Sequence, residues 1–507
     1  MKIANSQQVP PNESDLGWFT LSSMNSIQSL PLPELPQDII ELIIDHVAIL
    51  EPAAEARTSL QACSLVSRSF TYRARQQLWR NVVFPLYPGT TKAVPGSINK
   101  RANQFIHTLQ QMQDKGFISD IHSFHLVFED PPQTSFKLKS LQQRLLYRPI
   151  TRLFKKSIIK SYDIFYVFEE LKKRQLRHIS IENKPKNRLI LFWNHNPETS
   201  SLQMALLQLL ASATLRTFTL SNITGLTSEI VIAAFFSKNL QEIMIHHSVV
   251  KHNGRFGESP NISKITGELA NLTRLELTGG DYFEILYILV KQAEKLRIQQ
   301  SPLFPQLQTL VLSVPGSEDI MFILCENILN FASNLQNIEF ELHHAYFRDE
   351  FFSHDYIESF SHMDSLFTFR LRTIGPSTVK WVESSQQALI NFLAIRNLGK
   401  YVTTIELHYH FSGCRTHTEG DSLGTFNQAK YWEAVDRILT SEVFIHLQLV
   451  KIWISIRYYP SMHNKTYPIP PEELDDFAEF RLPRINKASH IRLELNGEFI
   501  LSREQAL

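Results

Sequence analysis

Residues that could do covalent chemistry are sparse in this 507-residue chain. Ser377-Thr378-Val379-Lys380 has the spacing at which a lysine can activate a serine, but the companion motifs of that chemistry are missing. His246-His247 and His343-His344 offer imidazoles in pairs. Consecutive strand residues point to opposite faces, so neither pair chelates one metal alone. Cys63, Cys325 and Cys414 lie far apart with no CxxC, which fits neither a zinc site nor a disulfide framework and suits a reducing compartment. No HExxH, GxSxG, GxGxxG or P-loop occurs. The 17 glycines are about half the usual share of ~7%, leaving little material for phosphate-cradling loops. The expectation is a non-catalytic chain with no catalytic residues, no metal and no cofactor.

Binding chemistry is better represented. Residues 137–188 hold 15 Lys and Arg against four acids, with Tyr147, Phe154, Tyr162, Phe165, Tyr166 and Phe168 interleaved. That pattern has the ingredients of nucleic-acid stacking. The near-helical spacing of the aromatics instead predicts a core stripe beneath a solvated basic face, so nucleic acid is not expected as a partner. Over the whole chain 51 Lys and Arg meet 50 Asp and Glu, which excludes a dominating field of either sign. With 43% hydrophobic and 20% charged residues the chain reads as globular. No apolar run approaches 18 residues and the N-terminus shows no signal-peptide core, so an intracellular protein, cytoplasmic or nuclear, without a membrane partner is expected.

Two kinds of element must position whatever function exists. After a Ser-, Gln-, Asn- and Pro-rich lead-in (1–34), apolar residues at Ile39, Ile40, Ile43, Ile44 and Val47 take helical spacing. A second helical pattern runs Leu60, Cys63, Val66, Phe70, Ala74, Leu78, giving a small helical unit over 35–84. A connecting segment (85–120) is expected next. From 121 to 507 a window apolar-x-x-apolar-x-apolar recurs, as in Leu215/Phe218/Leu220, Leu272/Leu275/Leu277, Val402/Ile405/Leu407 and Leu449/Ile452/Ile454. Successive windows start 25 to 47 residues apart, with helical stretches between them.

The fold class read from this is α/β: a helical unit, then an irregular leucine-rich-repeat solenoid with parallel strands on the concave face and helices on the convex face. A closed β/α barrel shares the alternation, but its strands are buried on both faces. Here polar residues sit between the apolar ones. Those polar positions are the candidate substrate-binding surface: Arg274, Glu276, Glu339, Arg370, Arg372, Glu406, His408, Lys451, Trp453 and Arg457. Trp and Arg are favoured interface anchors, and Trp453 heads the set.

The helical unit carries a recognisable pattern. Leu35-Pro36-x2-Ile39-Ile40-x2-Ile43-Ile44, then Leu60-x2-Cys63-Ser64-Leu65-Val66-Ser67-Arg68-Ser69-Phe70, then Ala74-Arg75-x2-Leu78-Trp79-Arg80, resembles an F-box of the fungal F-box-like family. The resemblance covers about a tenth of the chain; Phe70 stands where many members carry Trp, and the segment Ala48–Ser59 is long. It implies a substrate-receptor subunit of an SCF (cullin–RING) ubiquitin ligase. The F-box would dock on the Skp adaptor, and through it cullin, by Leu35, Pro36, Ile39, Ile40, Ile43, Ile44, Leu60, Val66 and Phe70. The repeats would recruit a protein target. The alternative is a leucine-rich interaction scaffold outside the ubiquitin pathway.

Overall fold

A computed structural model describes residues 36–48, 53–86, 97–114, 121–129, 162–184, 191–192, 197–251, 271–279, 304–314, 334–343, 365–376, 398–414, 431–458 and 465–501, with single positions between 383 and 393. The chain divides into two compact units, Met1–Leu78 and Trp79–Leu507.

The first unit contains α1 (Gln37–Ala48), α2 (Ala53–Val66) and α3 (Arg68–Arg80), the last running past the division. Pro36 accepts the first helical hydrogen bond, from the Ile40 N–H at 3.1 Å, and so stands just ahead of the helix. The helical pattern expected to run unbroken from Leu60 to Leu78 breaks at Ser67. There the serine hydroxyl accepts the Phe70 N–H at 3.5 Å, and Thr71 donates its hydroxyl to the Ser64 and Ser67 carbonyls. This is the physics of a serine N-cap: a side-chain oxygen satisfies an amide that the new helix leaves free. The segment expected to be long between the first two helices is shortened, because α2 begins at Ala53.

The second unit holds sixteen described strands. They are β1 Asn81–Leu86, β2 Ser123–Glu129, β3 His178–Lys184, β4 Leu191–Phe192, β5 Thr217–Ser221, β6 Ile223–Thr227, β7 Glu242–His246, β8 Val249–Lys251, β9 Arg274–Thr278, β10 Thr309–Val314, β11 Asn337–His343, β12 Thr368–Pro376, β13 Thr404–Cys414, β14 Leu449–Tyr458, β15 Lys465–Pro468 and β16 Arg492–Leu501. Thirteen form one open sheet in the order β1-β2-β3-β5-β7-β9-β10-β11-β12-β13-β14-β16-β15. All its pairings are parallel except β15 with β16, which ends the sheet antiparallel. The fold is therefore mixed α/β with an open, mostly parallel sheet, not a closed barrel.

One backbone device repeats along the sheet. At the start of each strand of this sheet from β3 to β14, two consecutive amides bond to a single carbonyl at the matching place of the neighbouring strand. Arg177 and His178 bond to the His122 carbonyl, Gln308 and Thr309 to that of Thr273, and Gln448 and Leu449 to that of Thr403, at 2.8–3.0 Å. The apolar residue ahead of each pair (Leu215, Leu240, Leu272, Leu307, Leu335, Leu366, Val402, Leu447) is fully buried. Only this short stretch and the strand must keep register, so the chain between strands can vary in length. Leu447 also corrects the last window. The register Ile405↔Val450 and Leu407↔Ile452 aligns Leu447/Val450/Ile452 with the others, and Leu449 falls between.

Alternate strand residues (Phe218, Leu220, Ile243, Ile245, Leu275, Leu277 and their successors) join helix residues in one continuous core. The helices Pro197–Leu210, Ser228–Phe235 and Trp432–Leu439 contribute Leu206, Ile230 and Trp432 to it. Of the other expected helices, 282–297 and 320–332 lie outside the described residues, and positions within 386–396 are helical. Segment 85–120, expected as a connector, contains α4 (Ser97–Asp114), and β1 pairs with β2; the repeating structure thus starts near residue 81 rather than 121. The reason is that Ala102 and Leu109 of α4 and Val82 and Phe84 of β1 are core residues, although no full apolar window marks them. Of the basic stretch, 137–161 lies outside the described residues. Phe168 is buried against Phe124 in a T-shaped pair 6.2 Å apart, while Tyr166 is exposed.

A second, three-stranded sheet, β4-β6-β8, has no counterpart in the sequence reading. Two strands feed it through left-handed residues: Asn222 (φ 57°) follows β5 and His247 (φ 47°) follows β7. Gly279 (φ 62°) takes the same place after β9. The amides of Asn222 and His247 bond to the carbonyls of His246 and Thr278, which holds these turns in line. A Cβ on Gly279 would stand 2.0 Å from the His247 ring. Gly279→Ala should therefore lower stability by about 2 kcal/mol, combining the left-handed backbone cost with the clash. In a His247→Ala background the loss should fall to about 1 kcal/mol, measured by urea denaturation as a double-mutant cycle.

Candidate functional site

In the first unit, nine residues were expected to meet an adaptor. Ile40, Ile44 and Leu60 do not: with Ala74 they form the unit's own buried core. Correcting that expectation follows from helix geometry, since three helices in contact each turn one stripe inward. Phe70 is half-buried and packs against the same core. Pro36 is exposed, and Leu35 lies outside the described residues. Ile39 and Ile43 are each 40% exposed and Val66 is 70% exposed. Two residues missed in the sequence belong with them, Leu42 at 60% and Leu65 at 84% exposure. The apolar outer stripe of α1 is thus Ile39, Leu42 and Ile43, and α2 ends in an exposed Leu-Val pair.

An ionic staple fixes α1 to α3. Asp45 accepts Arg73 through both oxygens at 2.8 and 2.6 Å and also Gln77 at 2.6 Å. The hydrogen bond to Asp45 is the main cause raising the Arg73 pKa above its ordinary value, against a smaller loss from burial. Such a fork-to-fork pair fixes orientation as well as energy.

In the second unit the ten candidate residues share the sheet face opposite the core. The strand register lines up Glu276, Val311, Glu339, Arg370, Glu406, Lys451 and Glu494 as neighbours in one row from β9 to β16. Glu341, Arg372, His408, Trp453 and Asn496 form the next row from β11. Strand neighbours lie about 4.8 Å apart, so charges in one row must interact. They were expected as a substrate-binding surface; the structure shows them joined to one another in a network. Arg370 bonds Glu339 at 2.7 Å and Glu406 at 2.6 Å. Arg372 contacts Glu339 and Glu341, each at 3.4 Å. Lys451 lies 3.6 Å from Glu406 and 3.9 Å from Glu494. Arg274 pairs with Glu276, and His246 bonds the Thr278 hydroxyl at 2.8 Å. Trp453 is half-buried beside His408, and Arg457 is exposed on the same face of β14.

Depth separates the two signs. The carboxylates of Glu276, Glu339, Glu341 and Glu406 keep only 5–12% of their side-chain surface exposed. Their partners Arg274, Arg370, Arg372 and Lys451 keep 35–46%. The floor of this face is acidic and its outer layer basic. Burial alone would raise the Glu406 pKa, but hydrogen bonding to Arg370 and the charges of Arg370 and Lys451 reverse that, and the net shift is downward. Burial likewise opposes the Arg370 charge, and its bonds to Glu339 and Glu406 win, raising its pKa.

Two histidines complete the set. His408 is shifted down by burial and then by Arg370 and Arg372. His410, the next position on this face and one missed in the sequence, is lowered to about 4 by burial, with Arg372 and His408 adding to it. Continuing the alternation Glu406-x-His408-x-His410 would have found it.

Elsewhere, a groove of 560 Å³ on the helical side is lined by α4 and helix Tyr162–Lys172, including Glu169, Glu170 and Lys173. Lys173 pairs with Glu170 at 2.5 Å. Among the described residues no three His, Cys, Asp or Glu side chains converge as metal ligands, and no helix is long and apolar enough to cross a membrane. The chain matches no protein-family model, and no curated protein matches it.

The histidines make stability pH-dependent with a definite sign. Their folded pKa values lie below the ordinary 6.5, so the unfolded chain binds more protons. Their contribution is complete above about pH 6.5 and is lost as pH falls toward 4. The urea midpoint should therefore drop between pH 7.5 and 5, and the drop should shrink in the His408→Gln/His410→Gln variant. An unchanged drop would show that these imidazoles are not the groups taking up protons.

Proposed function

We propose that this chain is a substrate-receptor subunit of an SCF-type ubiquitin ligase, its helical unit an F-box docking on the Skp adaptor and its sheet unit a leucine-rich-repeat-like solenoid recruiting a protein target. The observation that carries the first half is the division of labour among the helices. Ile40, Ile44, Leu60 and Ala74 close the unit's own core, yet Ile39, Leu42, Ile43, Leu65 and Val66 still face outward. An outer apolar stripe at i, i+3, i+4 is what a partner's groove covers. The F-box-like spacing in the sequence says which partner. For the second half, parallel strands stacked through one repeated carbonyl device, with a polar face opposite the core, support a solenoid and a recruiting surface. The charged face then lies on the concave side. Ubiquitin chemistry would belong to other subunits; this chain would supply proximity.

A second reading, an interaction scaffold outside the ubiquitin pathway, is favoured by the fact that Trp79–Leu507 forms a compact unit by itself. It expects residues 1–78 to be dispensable for partner binding and partner lifetime.

The test is capture of a purified Skp adaptor by the full chain. Ile39→Glu/Ile43→Glu/Val66→Glu should abolish capture with the helical circular dichroism intact, since interface anchors are worth about 2–4 kcal/mol each. Substitutions at Ile40, Ile44 or Leu60 would be uninformative, because they unfold the unit. Capture by the triple variant, or none by the intact chain, removes the F-box assignment.

A further inference from the structure

We propose that the charged face across β12, β13 and β14 binds an extended acidic peptide segment of its protein target, read by Arg372 and Lys451 with Trp453 as the apolar anchor. This deepens the receptor reading and rests on it for the existence of a target.

The cations of this face are held with unequal firmness. Arg370 is locked between Glu339 and Glu406 by contacts of 2.6–2.7 Å through three of its nitrogens. It is a strut. Arg372, one pleat further along β12, touches its two glutamates only at 3.4 Å through its terminal nitrogens and keeps 37% of its side chain exposed, although its Nε is buried. A guanidinium offers five N–H donors in a planar fork, so Arg372 retains capacity for an incoming carboxylate. Lys451 is similarly loose, at 3.6 and 3.9 Å from its nearest carboxylates and 40% exposed.

Geometry sets the ligand's spacing. β12 and β14 lie either side of β13, so Arg372 and Lys451 are separated by about 10 Å across the sheet and about 7 Å along it. An extended peptide advances about 3.3 Å per residue and reaches this distance between acidic residues three or four apart. His408 stands between Arg372 and Trp453 in the same row. Trp453 offers a half-buried ring for an apolar residue of the same peptide.

The buried glutamates choose between acidic partners. A nucleic-acid strand brings a phosphate at every step, and between its cation contacts it would lie over the acidic floor of Glu339, Glu341 and Glu406. The chain's net charge of +1 provides no long-range field to offset that. Two or three well-spaced carboxylates meet the outer cations while placing fewer charges over that floor than a phosphate at every step does.

The experiment uses the full chain and a fluorescein-labelled degenerate peptide mixture. Aspartate is fixed at two positions three residues apart and the other positions carry random neutral residues. Fluorescence anisotropy is read at low and physiological salt. Binding of the Asp mixture, about tenfold or more weaker for the matched Asn mixture and reduced by salt, is expected. Arg372→Gln and Lys451→Gln should each weaken it several-fold and together abolish it, with the circular dichroism of the folded chain retained at the assay temperature. Arg372→Lys, which keeps the charge and loses the fork, should fall between. Lys172→Gln, at the exposed end of helix Tyr162–Lys172 and outside this sheet face, should bind as the unaltered chain does.

Absence of binding, equal binding of the Asn mixture, insensitivity to the Arg372→Gln/Lys451→Gln pair, or tighter binding of a short oligothymidylate overturns the proposal. Adaptor capture is measured on the same samples. Capture without acidic-peptide binding defeats the target chemistry alone, whereas Arg372-dependent peptide binding without capture defeats the ligase assignment and leaves this site standing.

Discussion

The sheet unit depends on one constraint: each strand of the main sheet from β3 to β14 begins where two consecutive amides share a carbonyl ahead of the neighbouring strand. Thr273, Gln308, Gln336, Phe367 and Thr403 supply that carbonyl in succession. Once the start of a strand is fixed, the pleat does the rest. Period-2 alternation sends Leu275, Leu310, Ile338, Phe369, Ile405 and Val450 into the core and turns the intervening residues to the opposite face. Charged residues therefore arrive in rows through register, with no separate device to gather them. The same constraint explains why unequal repeat lengths are tolerated, since extra chain is added away from the strand starts.

This arrangement fixes what the polar face can be. A row containing Glu339, Arg370, Glu406, Lys451 and Glu494 alternates in sign across adjacent strands, and like charges directly opposite one another would destabilise the pairing. Alternation makes the face cohesive. It also makes it uneven, because carboxylates on short stems sink while guanidinium and ammonium groups reach outward. A surface with balanced charge thereby presents mostly its cations, and the less firmly held of these are the ones able to change partners.

Much of the fold was legible because the apolar windows and the pleat obey the same period. Every full window became a parallel strand of one sheet, and the interleaved polar residues share one face. What escaped did so for physical reasons. Val82 and Phe84 carry only part of the window, so most of β1 was assigned to the helical unit ending at 84 and its end to the connector. The small β4-β6-β8 sheet depends on left-handed turns at Asn222 and His247, and a non-glycine residue does not advertise that conformation. In the helical unit, spacing identified an apolar surplus but not how three helices would divide it. Ile40 and Ile44 went inward, while Leu42 and Leu65 lie on the outer faces of α1 and α2, away from the core that Leu60 and Ala74 complete. Sequence also gave no sign of how deep each charge would sit, since depth comes from neighbours on two adjacent strands.

The central claim is that the outer stripe of the helical unit is a docking surface for an adaptor subunit. Hydrogen–deuterium exchange on the full chain, with and without saturating purified Skp adaptor, addresses it directly. The account predicts slowed exchange confined to peptides covering Gln37–Ala48 and the end of α2 near Leu65 and Val66, with β9 to β16 unaffected. Unchanged exchange in those helices, or protection falling on the sheet instead, would contradict it.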